Sequence, residues 1–246
     1  MSAEAYFQEA GAALARIAQS QKKSLADAAT LMVETIQSDH GIFSFGATHS
    51  FMLTEELVYR TGGLMLVNPI YPHGMNHAVR PMTQTSRFER IPGLGKELLS
   101  GSPAKSGDLL LLASTSGRNA VVIDMALAAR ERDIRTIGIT ALAYTQGVTS
   151  RHASGKKLAD ICDVVIDNGA PYGDAAVSIP GFGPKVGPLS SLTGIAIVNA
   201  LACETAARLS AAGITPPVFV SANLDEGDAH NERLLQQNAH RIHYMR

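Results

Sequence analysis

Residues 109–121 read LLLLASTSGRNAV: four leucines and an alanine run into Ser114, Thr115, Ser116 and Gly117, and a new apolar pattern starts at once. An unbroken apolar run of this length fits a strand buried on both faces, as strands of parallel sheets are. The stretch that follows, NAVVIDMALAARERD (119–133), has amphipathic helical spacing. A strand, a hydroxyl-rich turn and a helix are therefore predicted in succession. In open α/β sheets ligands bind outside the C-terminal ends of the strands, where loops enter helix N-termini. The turn at 114–119 is predicted to lie there.

Outward from this unit the same alternation recurs. Strands are predicted at 41–46, 64–67, 108–114, 135–141 and 163–168, with a possible short sixth at 217–221. Residues 3–38 carry helical spacing broken at SQKKS, as two helices or one bent one. FMLTEELVYRTGG (51–63) reads as a helix ended by glycine, and GKKLADI as a short helical piece. LSSLTGIAIVNALACETAARLSAAG reads as a long helix and DAHNERLLQQNAHRI as the last one. Residues 68–101 read as a long irregular connection, and 169–188 as a Gly/Pro-rich loop. The predicted fold is α/β: a doubly wound, mainly parallel five-stranded sheet flanked by helices. One domain over 1–246 is expected, with a helical N-terminal extension (1–38), a core over about 35–215 and a C-terminal helix within 222–246.

Composition narrows the function classes. With 46% hydrophobic and 17% charged residues and a formal net charge of −1, the chain reads as globular, with no basic face for nucleic acid and no polybasic membrane segment. The N-terminus lacks the pattern of a signal peptide, and no apolar run approaches the roughly 18 residues needed to span a membrane. Cys162 and Cys203 lack metal-ligand spacing and sit in apolar contexts, so buried free thiols in the cytoplasm are expected.

Two strand-end loops are unusually polar: GATHS (46–50) and STSGRN (114–119). Hydroxyls and free backbone N–H groups at a helix N-terminus, aided by the helix dipole, make an anion site. The plain alternative is that one serine caps the helix, but capping needs one side chain and STSGRN offers five polar ones. Neither loop is a triphosphate cradle of the GxxxxGKS/T type, GATHSF is not GxGxxG, and no acidic residue ends the second strand. A single phosphate on a small molecule is the anion that fits.

A strand ending in Gly-x-x-x-Ser plus a later strand ending in Ser-x-Ser-Gly resembles the sugar isomerase (SIS) phosphosugar-binding family. The resemblance covers about residues 35–215. A wider pattern (FGATHS, EEL, NP, GLG, ANLDEGDAHNERL) resembles a subgroup related to phosphoheptose isomerases and N-acetylmuramic acid 6-phosphate etherases. It implies the doubly wound fold, a homodimer or tetramer, a phosphorylated sugar as ligand, and no metal or organic cofactor. Carried over by position, Ser50 matches the first-loop serine, and Ser114 and Ser116 the second-loop pair. Asn119 stands where the family commonly has threonine. Gly46, Thr48, Thr115, Gly117 and Arg118 complete the two loops. In GPLSSLTG, Ser190, Ser191 and Thr193 either face the same pocket or serve capping and helix contact.

Such chemistry needs a base beside the carbonyl and an acid for oxygen. Glu55 and Glu56, in EEL, match the catalytic stretch of isomerase relatives in type. A solvated helix face is the alternative. His49 lies inside the first loop, and His230 opens the last helix, an element that in SIS dimers reaches a neighbouring site. His152 follows the fourth strand. His73 and His77 have i,i+4 spacing in a Pro/Gly context that disfavours a helical metal pair. Arg118 and Lys185 are candidates to neutralise phosphate. The functions compatible with this set are isomerisation, elimination, ether cleavage or deamination of a sugar phosphate. A non-catalytic sugar-phosphate sensor is the rival, and fold does not decide between them.

Overall fold

The computed structural model describes residues 1–245. Two helices, α1 (Ser2–Ser20) and α2 (Lys22–Gln37), precede β1 (Ile42–Gly46), with the break at Gln21. Then come α3 (Phe51–Leu57), β2 (Val67–Pro69), α4 (Thr83–Phe88), α5 (Leu94–Ser100), β3 (Leu109–Ala113) and α6 (Ala120–Glu131). The chain continues through β4 (Arg135–Thr140), α7 (Leu142–Gln146), β5 (Val164–Asp167), β6 (Ala175–Ile179), β7 (Phe182–Pro188), α8 (Ser190–Ala211) and α9 (Gly227–Gln237). Strands β1–β5 form one parallel sheet in the order β2-β1-β3-β4-β5, flanked by helices as expected.

The leucine run explains why the sheet is covered on both sides. Side chains alternate along a strand, so Leu109 and Leu111 enter one core and Leu110 and Leu112 the other, all four 2% exposed or less. Burying each is worth about 1.5–3 kcal/mol. The first core packs against α2, α3 and α8, the second against α5 and α6. α8 is long and apolar enough to cross a membrane by length and composition alone. Here Thr193, Ile197, Leu201 and Leu209 of its inner face are buried, and it packs on α2 and α3.

Several expectations are corrected. The helix predicted over 51–63 stops at Leu57, because Val58 turns extended and Tyr59 enters the left-handed region (φ +49°). The second strand is shifted from 64–67 to Val67–Pro69, where Ile42 pairs with Val67. Leu64 instead forms an isolated antiparallel bridge with Val218, so 217–221 is not a sixth strand of the sheet. The connection over 68–101 contains α4 and α5. The loop over 169–188 contains the antiparallel hairpin β6–β7, whose prolines and glycines mask the Val177–Val186 and Ile179–Phe182 pairing. The GKKLADI piece is a single 3-10 turn at Leu158–Asp160. The C-terminal helix is confined to Gly227–Gln237 plus a 3-10 turn at Ala239–Arg241, and the last residue assigned to that region, 246, lies outside the described residues. Of the two free thiols, Cys203 is exposed, whereas burial pushes the Cys162 thiol up to about 12.

Candidate functional site

Chain order reverses between β1 and β3: β1 leads to β2 on one side, and β3 lies on the other. The loops leaving these two strands diverge there, and GATHS and STSGRN are those loops. A cavity of about 360 Å³ lies between them.

The first loop turns back sharply. A Cβ on Gly46 would run into the backbone carbonyl of Ser50, so only glycine allows the turn. Thr48 holds φ at +53°, unusual for a β-branched residue and worth about 1–3 kcal/mol of strain. Its N–H donates to Met75 O at 2.8 Å, which fixes the loop. Below it, the hydroxyls of Ser44 on β1 and Thr54 on α3 share a buried hydrogen bond of 2.8 Å. Thr48, His49 and Ser50 line the cavity.

The second loop is anchored by its carbonyls. Thr115 O accepts Ala141 N–H at 3.0 Å and Thr140 Oγ1 at 3.2 Å, and Ser116 O accepts Thr145 Oγ1 at 3.2 Å. Gly117 O accepts Leu158 N–H and Arg118 O accepts Arg151 N–H, each at 2.9 Å. Four successive carbonyls are thus held by β4, α7 and the segment after it. The hydroxyl side of the loop is left to the cavity, lined by Ser114, Thr115, Ser116 and Asn119. Gly117 provides the left-handed turn (φ +59°), and its N–H donates to Ser114 Oγ at 3.3 Å. Gly46, Gly117 and Arg118 shape these loops without lining the cavity.

The third wall is the start of α8. Asp174 Oδ1 accepts the N–H groups of Leu189 (3.0 Å) and Ser190 (2.8 Å), and its Oδ2 accepts the Ser190 hydroxyl at 2.6 Å. The carboxylate therefore caps the helix and complements its dipole. Ser190 is committed to that cap, and Thr193 Oγ1 donates to Leu189 O at 3.1 Å. Ser191 also lines the cavity, with no partner for its hydroxyl among the described residues.

One acidic residue that the sequence reading passed over stands at the centre. Glu89, just beyond α4, lines the cavity, and its Oε2 accepts Asn119 Nδ2 at 2.6 Å. Its backbone carbonyl accepts Val121 N–H at 3.1 Å, one of the free donors of the α6 N-terminus. Burial raises the Glu89 carboxyl above the ordinary carboxylate range, while hydrogen bonds from Asn119 and Thr48 partly oppose this. Asn119 Oδ1 accepts Arg151 Nη1 at 2.9 Å. Tyr144, on α7 just after β4, adds an aromatic wall backed by Tyr172 at 5.2 Å between ring centres.

His49 stands 3.3 Å (Nδ1 to Nε2) from His77, whose partner is therefore in the first loop rather than at His73. The other candidates lie elsewhere. Glu55 is exposed on α3, and Glu56 meets Asn199 Nδ2 (2.8 Å) and Arg60 Nε (2.9 Å). His230 contacts Val218 O at 3.2 Å, holding α9 to the 217–221 segment. Lys185 borders a separate cavity against α1. His152 Nε2 pairs with Asp124 Oδ1 of α6 at 3.0 Å and does not line the cavity. No group of three or more His, Cys, Asp or Glu among the described residues is placed to hold a metal ion.

The geometry now has counterparts in known proteins. Residues 5–141 match the family model described as SIS domain. The UPF0309 protein of Shouchella clausii is 41% identical over 242 residues, 98% of each chain. The phosphoheptose isomerase of Neisseria gonorrhoeae superposes with a TM-score of 0.54 at 18% identity, over 82% of this chain and 97% of that one. The Vibrio vulnificus NanR protein, solved with ManNAc-6P, superposes with a TM-score of 0.51 at 18% identity, over 96% of this chain and 67% of that one.

Proposed function

The chain belongs to the SIS domain family, and from that premise we propose that it binds a phosphorylated sugar at the β1/β3 cavity and acts on it by proton transfer. The observation that carries this reading is the meeting, in one cavity, of a cradle of serine hydroxyls and the half-buried Glu89 carboxylate with its raised pKa, the other lining carboxylate, Asp174, being committed to the α8 cap. Ser50, Ser114, Ser116 and Ser191 hold the phosphate, with N–H groups of the second loop and the α6 dipole favouring negative charge there. Glu89 is the base. A carboxylate desolvated toward neutrality is matched to removing a proton beside a carbonyl. His49, backed by His77, is the acid that returns a proton to oxygen. Aldose–ketose isomerisation and the eliminations of lyases, etherases and deaminases share this first step.

Glu55, Glu56 and His230 enter this chemistry only if a second copy brings one of them to a neighbouring cavity, as a homodimer or tetramer would. Action in the cytoplasm belongs to the same reading.

The test is a panel of pentose, hexose, amino-sugar and heptose phosphates, scored for thermal stabilisation and then for turnover. Glu89→Gln is expected to keep stabilisation and to lower turnover by about 10²–10⁴-fold, the usual contribution of a general base. Stabilisation without turnover in the unaltered protein would replace the enzyme with a sensor. Turnover that survives Glu89→Gln would remove Glu89 from the mechanism.

A further inference from the structure

The hydroxyl cradle is uncharged, and the positive charge near it is in excess of what the chain itself neutralises. Arg118 follows Gly117 in the second loop, Arg90 follows Glu89, and Arg151 reaches Asn119 Oδ1 at 2.9 Å. None of the three has an ion-pair partner among the described residues. Glu89 is the carboxylate that acts on Arg151, and its Oε2 is bonded to Asn119. Arg118 Nε is buried without a hydrogen-bond partner, and its Nη2 makes only a 3.4 Å contact with Thr149 Oγ1. Arg118 O accepts Arg151 N–H at 2.9 Å, so the backbone holds the two residues together. Partial burial, then the charges of Arg118 and Arg90, push the Arg151 guanidinium down. Like charges held together with a buried donor unspent suit an anion, and guanidinium groups pair well with carboxylate or phosphate.

These arginines do not border the hydroxyl end of the cavity. Arg151 reaches it through Asn119, and Arg118 and Arg90 are the chain neighbours of the lining residues Asn119 and Glu89. We propose that Arg118 and Arg151 form a second anion subsite beside Asn119, so that the ligand is a phosphorylated sugar bearing a second anionic group, a carboxylate or a second phosphate. This rests on the phosphosugar reading above. The phosphate occupies the hydroxyl cradle, the sugar lies across Glu89, and the second anion neutralises the arginines and takes up the Arg118 Nε donor.

Calorimetric titration with two matched pairs tests this: glucose 6-phosphate against 6-phosphogluconate, and fructose 6-phosphate against fructose 1,6-bisphosphate. The first pair reports on a carboxylate, the second on a phosphate. In at least one pair the ligand with the additional anion is expected to bind about tenfold or more tighter, the value of one charge-assisted contact. Arg151→Gln is expected to erase that advantage while leaving the single-phosphate affinity within about twofold, and Arg118→Gln to repeat the result. Equal affinities within both pairs, or an advantage that survives both variants, would overturn the subsite while single-phosphate binding upheld the cradle. No binding by any of the four would overturn the phosphosugar reading and the subsite with it.

Discussion

Replacing Asn119 by alanine tests how the site is held. Its amide sits between two charged groups, donating to Glu89 Oε2 at 2.6 Å and accepting from Arg151 Nη1 at 2.9 Å. A hydrogen bond to a charged partner contributes about 1.5–3 kcal/mol, and partial exposure to water reduces that. Asn119 precedes α6 but makes no side-chain cap to it, so no helix-capping loss adds to the total. A net cost of about 1–2 kcal/mol is expected, which in a chain of this size lowers Tm by roughly 2–8 °C.

The cost has a pH signature. Glu89 is already raised in the fold by burial, so its contribution is most favourable below the ordinary carboxylate range and is lost as pH rises through its folded value. The Asn119 bond serves the ionised form. Without it the carboxyl titrates higher still, so the Tm deficit of the variant is largest at neutral pH and shrinks as pH falls through the raised Glu89 titration, above the ordinary carboxylate range. Thermal melts from pH 4 to 8, with ¹³C NMR titration of the Glu89 carboxyl, measure both effects. A Glu89 titration that stays put or moves down in Asn119→Ala would refute the coupling of these two side chains.

Three further outcomes are expected. Thr54→Val strands the buried Ser44 hydroxyl and should cost about 1–3 kcal/mol in urea unfolding, while the double variant with Ser44→Ala recovers part of that loss. A double variant weaker than the single one by the full effect of Ser44→Ala would mean that the hydroxyls are not coupled. Gly46→Ala forces a methyl into the Ser50 carbonyl, so both Tm and phosphosugar stabilisation should fall; an unchanged melt would show that the loop has room. A thiol reagent at pH 8 should titrate Cys203 alone in the folded chain and both cysteines in denaturant, because burial holds the Cys162 thiol at about 12. Rapid modification of two native thiols would contradict the packing around Cys162.

The parallel sheet was legible because LLLLA is an apolar run that two-sided burial accommodates and the helix after β3 carries clear spacing. DVVID turned out to be the edge strand β5, with only Ile166 fully buried, and the short α7 after β4 carried no signal that the reading caught. The hydroxyl loops were legible because strand-end position, rather than residue type, marks a ligand edge. The hairpin β6–β7 was hidden by Gly183, Pro184, Gly187 and Pro188, residues that weaken a strand signal even where cross-strand pairing overrides it. Glu89 was hidden for a different reason. It stands in a proline-bounded connection with no periodicity, and only the tertiary path of that connection over the α6 N-terminus brings it to Asn119. Tyr144 could have been found, since it follows β4 at the same sheet edge that drew attention to the two loops. Glu55 and Glu56 were attractive by type and by resemblance, but α3 turns them away from the cavity, toward solvent and Asn199.

The central claim is that the β1/β3 cavity holds a phosphate through the hydroxyls of the second loop. Isothermal titration of the chain with the phosphosugar that stabilises it best, with the matching unphosphorylated sugar, and of the Ser114→Ala/Ser116→Ala variant with the same pair, tests it most directly. The phosphosugar should bind the unaltered chain, the free sugar should not, and the double variant should lose about tenfold or more of the phosphosugar affinity. Phosphosugar affinity unchanged in the double variant, or equal binding of the free sugar, would contradict it.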